Sequence, residues 1–142
     1  MQIGNAKSHR QAVIGLLKGE NLPAEDLPEE LDDFLVALDG NVVIGSIGLE
    51  IYGNYGLLRS LAVNKSFRNK GIGDELLGKI ERLAVTHGLA GIYLLTETAP
   101  DYFKRKGYEL IDRPTIPVEV QQSSEFSHVC PVSAIAMKKH LK

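Results

Sequence analysis

RSLAVNKSFRNKGIGDELLGKIERL (Arg59–Leu83) decides the reading of this chain. An apolar run, Leu61–Val63, comes first. A basic turn punctuated by glycine, RNKGIG (Arg68–Gly73), follows it, and after Gly73 the pattern becomes helical, with Leu76, Leu77, Ile80, Leu83 and Ala84 on one stripe. A strand that enters a glycine-rich turn at a helix start presents unpaired N–H groups in one direction, and the helix dipole adds positive potential there. Arg68 and Lys70 add point charges, so the turn is suited to an anion, most simply a phosphate. Two nucleotide patterns are excluded. Gly73 is followed by Asp74, not by the Lys-Ser/Thr of a Walker loop, and Gly71-Ile72-Gly73 lacks the third glycine of the dinucleotide fingerprint.

The surrounding composition narrows the setting. The formal net charge is −2, so a general affinity for nucleic acid is not expected, and the positive charge is local, at Lys65, Arg68 and Lys70. One cysteine, Cys130, excludes an intramolecular disulfide and fits a reducing compartment. The polar start MQIGNAKSHRQ has no signal-like apolar core, and no run reaches transmembrane length. A soluble cytoplasmic protein is therefore expected. His9, His87 and His140 are scattered, so no metal is expected.

Outward from the turn, Ser8 is positioned to cap a first helix through Leu17, with Ala12, Val13, Leu16 and Leu17 on one face. NLPAEDLPEE (Asn21–Glu30) reads as a loop or short helical turn, and the acidic stretch Glu25–Asp33 as a solvated face, with a gate that repels some substrates as the alternative. FLVALDGNVVIGSIGLEIY reads as two strands joined at Asp39-Gly40-Asn41, and Gly53–Gly56 as a second turn leading into LLRSLAV (Leu57–Val63). Gly88 suits the end of the long helix, and GIYLLT (Gly91–Thr96) reads as a buried strand. APDYFKRK predicts a short helix, GYELI a strand, and AIAMKKHL a last strand. The order predicts one α+β domain over residues 1–142, a mixed, mainly antiparallel sheet with helices.

LAV followed by RNKGIG and a leucine-rich helix resembles the coenzyme A-binding motif of the GNAT superfamily of N-acetyltransferases. TETAPDYFKRKGYE (Thr96–Glu109) is similar to that family's second motif, at the expected distance. GLLRSLAV, YLLTETA, YFKRKGYE and the tail EFSHVCPVSAIAMKKHL are similar to the group described as arsenic-resistance N-acetyltransferases, and the tail also to enzymes that acetylate glutamate. The resemblance implies a sheet with a central splay, covered by helices on both faces, and acetyl-CoA as cosubstrate. It places the pantetheine arm on the backbone of Leu61, Ala62 and Val63, and the pyrophosphate on the amides of Arg68, Asn69, Lys70, Gly71, Ile72 and Gly73. It adds Thr96 and Phe103 as cofactor contacts. Phe103 departs from the pattern, because family members often carry a tyrosine there as proton donor to the leaving thiolate. Tyr102 is adjacent, but about 100° away around a helix.

An amine must lose a proton before it attacks a thioester. Glu50 is the candidate base. In VVIGSIGLEIY, strand alternation puts Ser46, Gly48, Glu50 and Tyr52 on one face, where the small residues leave room for a ligand. A four-residue loop at Gly53–Gly56 would set Glu50 opposite Arg59, whose guanidinium suits a substrate carboxylate. The competing reading of Glu50 and Arg59 is a cross-strand ion pair. Glu97 is a weaker base candidate. Cys130 beside His128 reads as a buried thiol, and Tyr52, Tyr55 and Phe126 as packing residues or as the lining of an acceptor pocket.

These readings converge on acetyl transfer to a small-molecule amine, an amino acid or an analogue. The alternatives are a coenzyme A-binding sensor without turnover, which Phe103 favours, and acetylation of protein lysines or N-termini. Edge strands leave a homodimer open.

Overall fold

The computed structural model describes residues 1–123 and 134–141. Phe126, His128 and Cys130 lie outside the described residues. The chain falls into two compact units, Met1–Leu49 with Arg59–Leu83, and Glu50–Leu58 with Ala84–Lys142.

The first unit begins with a strand that the polar start concealed, β1 (Gln2–Asn5), paired antiparallel with β2 (Phe34–Asp39) from Gln2↔Leu38 to Asn5↔Leu35. Its residues alternate too weakly to announce a strand, and the pairing with β2 is what supplies the order. Helix α1 (Arg10–Gly19) buries Val13 and Leu17, whereas Ala12 is exposed. Ser8 does not cap it: Lys7–His9 form a 3-10 turn, and His9 stands at the N-cap with no side-chain bond. β2 turns at Gly40-Asn41 into β3 (Val42–Tyr52), as the Asp39-Gly40-Asn41 signal predicts. The core of this unit is built from Val13, Leu17, Leu27, Leu31, Phe34, Val36 and Ala62. Leu27 and Leu31 anchor the acidic stretch Glu25–Asp33 to this core, while its Glu25, Glu29, Glu30 and Asp32 are exposed as expected of a solvated face.

β4 (Tyr55–Val63) belongs to both units, and helix α2 (Ile72–Thr86) continues the stretch that opened the reading. Within the second unit, β5 (Gly91–Thr96) runs parallel to β4 from Tyr55↔Gly91 to Leu58↔Leu94. Helix α3 (Pro100–Arg105) and the edge strand β6 (Glu109–Leu110) follow, then a short helix α4 (Val118–Gln121), directly after Pro117. β7 (Ile135–His140) enters between β5 and β6, where Lys138 pairs with both Tyr93 and Glu109. Its core is Leu57, Tyr93, Ile116, Val120 and Ala136. At the end of α2, Leu89 N–H reaches Ala84 O (3.1 Å) and Gly88 N–H reaches Val85 O (2.9 Å), a Schellman closure at the expected glycine.

The strand order is β1-β2-β3-β4-β5-β7-β6, a seven-stranded mixed sheet in which β4 and β5 are the parallel pair. This is the α+β architecture expected. Among the described residues, no helix is long and apolar enough to cross a membrane.

Candidate functional site

The strand–turn–helix segment keeps its predicted form, with detail that only coordinates supply. After β4, Asn64 accepts the Ser66 N–H on its side-chain oxygen (2.9 Å) and starts a 3-10 turn over Lys65–Phe67. Arg68 is extended, Asn69 has φ +64° and Gly71 has φ +78°. Left-handed residues inside such a turn are the backbone setting in which nests of N–H groups form. The Glu75 N–H bonds Gly71 O at 3.0 Å, so the amides of Ile72 and Gly73 come before the ladder of α2. A Cβ on Gly71 would meet no protein atom within 4 Å. Glycine is required there by the left-handed backbone, and the space beside it is open to a ligand.

The two cations of the turn already have partners. Arg68 donates from Nε to Val63 O (3.3 Å), and its guanidinium pairs with Glu20, just past the end of α1. Lys70 Nζ lies 5.5 Å from the centre of the Phe67 ring.

β4 carries the second feature. Ser60 has φ +61° inside the strand. A left-handed non-glycine residue costs roughly 1–2 kcal/mol unless something holds it. Three side chains do so. Ser46 Oγ donates to Ser60 O (2.7 Å), and Arg59 Nε donates to Ser60 Oγ (3.1 Å). Arg59 then donates from both terminal nitrogens to the two oxygens of Asp26, each at 2.7 Å. The Arg59 and Asp26 side chains are 1% and 7% exposed.

Sequence reasoning missed Asp26. An arginine in an apolar strand requires an acidic partner, and the acidic loop offers several, but nothing in the sequence selects one. Two expectations are corrected here. The turn between β3 and β4 is Gly53-Asn54, two residues and not four, so the loop length that set Glu50 opposite Arg59 does not hold. The small residues of β3 do not leave room for a ligand either. The Phe34 ring fills the space over Gly48, 2.3 Å from where a Cβ would stand, and Ser46 is spent on Ser60.

The first unit thus holds Arg59, Leu61, Ala62, Val63 and Arg68–Gly73, and the second holds Glu50, Thr96 and Phe103. Glu50 is half-buried and accepts the Tyr52 hydroxyl, two residues along the same face of β3. Thr96 Oγ1 accepts the Ala99 N–H (3.1 Å) at the start of α3. Phe103 is buried and packs edge-to-face against Tyr102 and Tyr108. Among the described residues, no group of three or more His, Cys, Asp or Glu side chains could hold a metal.

A mixed seven-stranded sheet with a strand, a glycine turn and a long helix in succession defines the class of the domain, α+β. Sequence comparison makes the assignment specific. The model of the acetyltransferase (GNAT) family matches residues 12–108, running through both units, and the chain belongs to that family. An uncharacterized N-acetyltransferase of Chlorobaculum tepidum is 36% identical over 97 residues, which cover 68% of this chain and 62% of that protein. The uncharacterized N-acetyltransferase YjcF of Bacillus subtilis is 30% identical over 99 residues, covering 67% and 71%. Among solved structures, N-acetylglutamate synthase of Neisseria gonorrhoeae, complexed with coenzyme A and N-acetyl-glutamate, superposes with a TM-score of 0.81. It shares 17% identity, over 99% of this chain and 35% of that one, and establishes the fold alone.

Proposed function

We propose that the protein transfers an acetyl group from acetyl-CoA to the amine of a small molecule, by direct attack in a ternary complex. The observation that carries this is the turn at Arg68–Gly73, with left-handed Asn69 and Gly71 just before α2 and no protein atom within 4 Å of where a Cβ on Gly71 would stand. The amides of Arg68, Asn69, Lys70, Gly71, Ile72 and Gly73 hold the pyrophosphate. The backbone of Leu61, Ala62 and Val63 pairs with pantetheine, and Val63 N–H polarises the acetyl carbonyl. Acetyl-CoA supplies the thioester. Thr96 and Phe103 are proposed as further contacts through backbone or ring, since Thr96 Oγ1 and the Phe103 side chain have the structural roles described above.

Glu50 is the proposed base that takes the proton from the attacking amine, with Tyr52 holding its carboxylate. The acceptor is proposed to be an amino acid or an analogue. The N-acetyl-glutamate bound to the Neisseria synthase supports that class. A link to arsenic resistance rests on the sequence resemblance of GLLRSLAV, YLLTETA and the tail. For Arg59 to anchor an acceptor carboxylate, that carboxylate would have to displace Asp26 from the same two nitrogens.

A thiol-release assay with acetyl-CoA and a panel of amino acids, including glutamate and phosphinic or arsinic analogues, tests the reading. Turnover on one of them, lowered in Glu50→Gln by about 10²–10⁴ with coenzyme affinity unchanged, is the expected result. Full activity in Glu50→Gln removes the base assignment. Phe103 favours a second reading, a coenzyme A-binding sensor, because no hydroxyl stands at that position for the leaving thiolate. Tight coenzyme binding without turnover on any amine would establish the sensor.

A further inference from the structure

We infer that Asp26 is a positioning residue for the coenzyme: through Arg59 it holds Ser60 in its left-handed conformation, and so sets the backbone of Leu61–Val63 that follows. The inference rests on the proposed pairing of those residues with pantetheine. It assigns Arg59 to the protein's own architecture and not to an acceptor carboxylate.

The chain of contact is continuous within one unit. The Asp26 carboxylate takes both terminal nitrogens of Arg59, and the remaining guanidinium nitrogen, Nε, is bonded to Ser60 Oγ. From the other side Ser46 Oγ bonds Ser60 O. The peptide at Ser60 is thereby fixed at its side chain and its carbonyl, in a conformation that serine avoids when left alone. What Ser60 changes lies directly after it. β4 continues past Ser60 to Val63. Leu61, Ala62 and Val63 are thus the strand residues that follow it at once, and the turn of the backbone at Ser60 decides where their N–H and C=O groups point. Burial makes the device stiff. A bidentate pair with side chains 1% and 7% exposed does not exchange readily with water, and each partner leaves a costly orphan if the other is removed.

The alternative use of Arg59, as an anchor that trades Asp26 for an acceptor carboxylate, predicts the opposite behaviour. Removing the Asp26 charge would then free the anchor and lower KM for carboxylated amines. In the positioning role it weakens the coenzyme instead.

Calorimetry on the full chain separates these outcomes with two ligands, coenzyme A and ADP. ADP carries the pyrophosphate for the turn but no pantetheine. Asp26→Asn is expected to weaken coenzyme A about tenfold, the factor that corresponds to losing support for one left-handed residue, while ADP binds as before. Ser46→Ala, a milder change that leaves the ion pair intact, should shift affinity the same way and decides the matter if Asp26→Asn does not fold. Ser60→Gly in the Asp26→Asn background should restore most of the loss, because glycine takes the left-handed conformation unaided. Equal weakening of both ligands would mean general loosening and would overturn the inference. So would unchanged coenzyme affinity, or a lower KM for glutamate-like acceptors. Failure of the wild-type chain to bind coenzyme A would instead remove the proposed function, and the inference with it.

Discussion

Asp26 and Arg59 form a bidentate ion pair, with both N–O distances 2.7 Å, between the loop after α1 and the middle of β4. The two residues are far apart in sequence, and both side chains are withdrawn from water. Their pairing fastens the acidic loop to the strand that precedes the Arg68–Gly73 turn.

Breaking this pair from one side should be far more damaging than replacing it whole. Arg59→Met is expected to lower unfolding stability by about 3–5 kcal/mol, since Asp26 is left buried without its partner. Asp26→Leu combined with Arg59→Met should recover most of that loss. Urea unfolding of the two variants beside wild type measures it, and equal losses in both would contradict the account.

Gly71 should separate stability from binding. At φ +78° an alanine is strained by roughly 1–2 kcal/mol, yet no protein atom lies in its way. Gly71→Ala is therefore expected to lower stability by about that amount. Coenzyme A affinity should fall further, because the new methyl group occupies the space beside the turn. Calorimetry and thermal unfolding on the same preparation would compare the two losses.

Glu20 pairs with Arg68, whose charge is proposed to meet the phosphates of the coenzyme. The Arg68 side chain is 48% exposed, so this pair is worth no more than about 1 kcal/mol. Glu20→Gln should tighten coenzyme A by up to about fivefold, and Arg68→Ala should weaken it. Titrations at low and high salt would show the difference shrink as salt screens the charges.

Gly48→Ala should cost stability and leave the coenzyme site unaffected. The added methyl would fall 2.3 Å from the Phe34 ring, which is 1% exposed and has no open side toward which to move. A loss of about 1–3 kcal/mol is expected, with coenzyme affinity unchanged in calorimetry. A stable Gly48→Ala would mean that the ring moves aside.

By itself the sequence determined what local pattern encodes. The apolar run, the glycine turn and the leucine stripe of Arg59–Leu83 specify strand, turn and helix, because each depends on side-chain period and backbone freedom over a few residues. The spacing of RNKGIG from the second motif was enough to suggest the family. Only the tertiary structure decided the partners. β1 and α4 exist because something distant completes them, and their own residues give weak signals. Asp26, and not another carboxylate of its loop, meets Arg59, and the Phe34 ring fills the place of a side chain at Gly48. Buried charges and close packing are satisfied by whichever group the fold brings within a few ångströms, and that choice is a property of three-dimensional proximity that no local pattern carries.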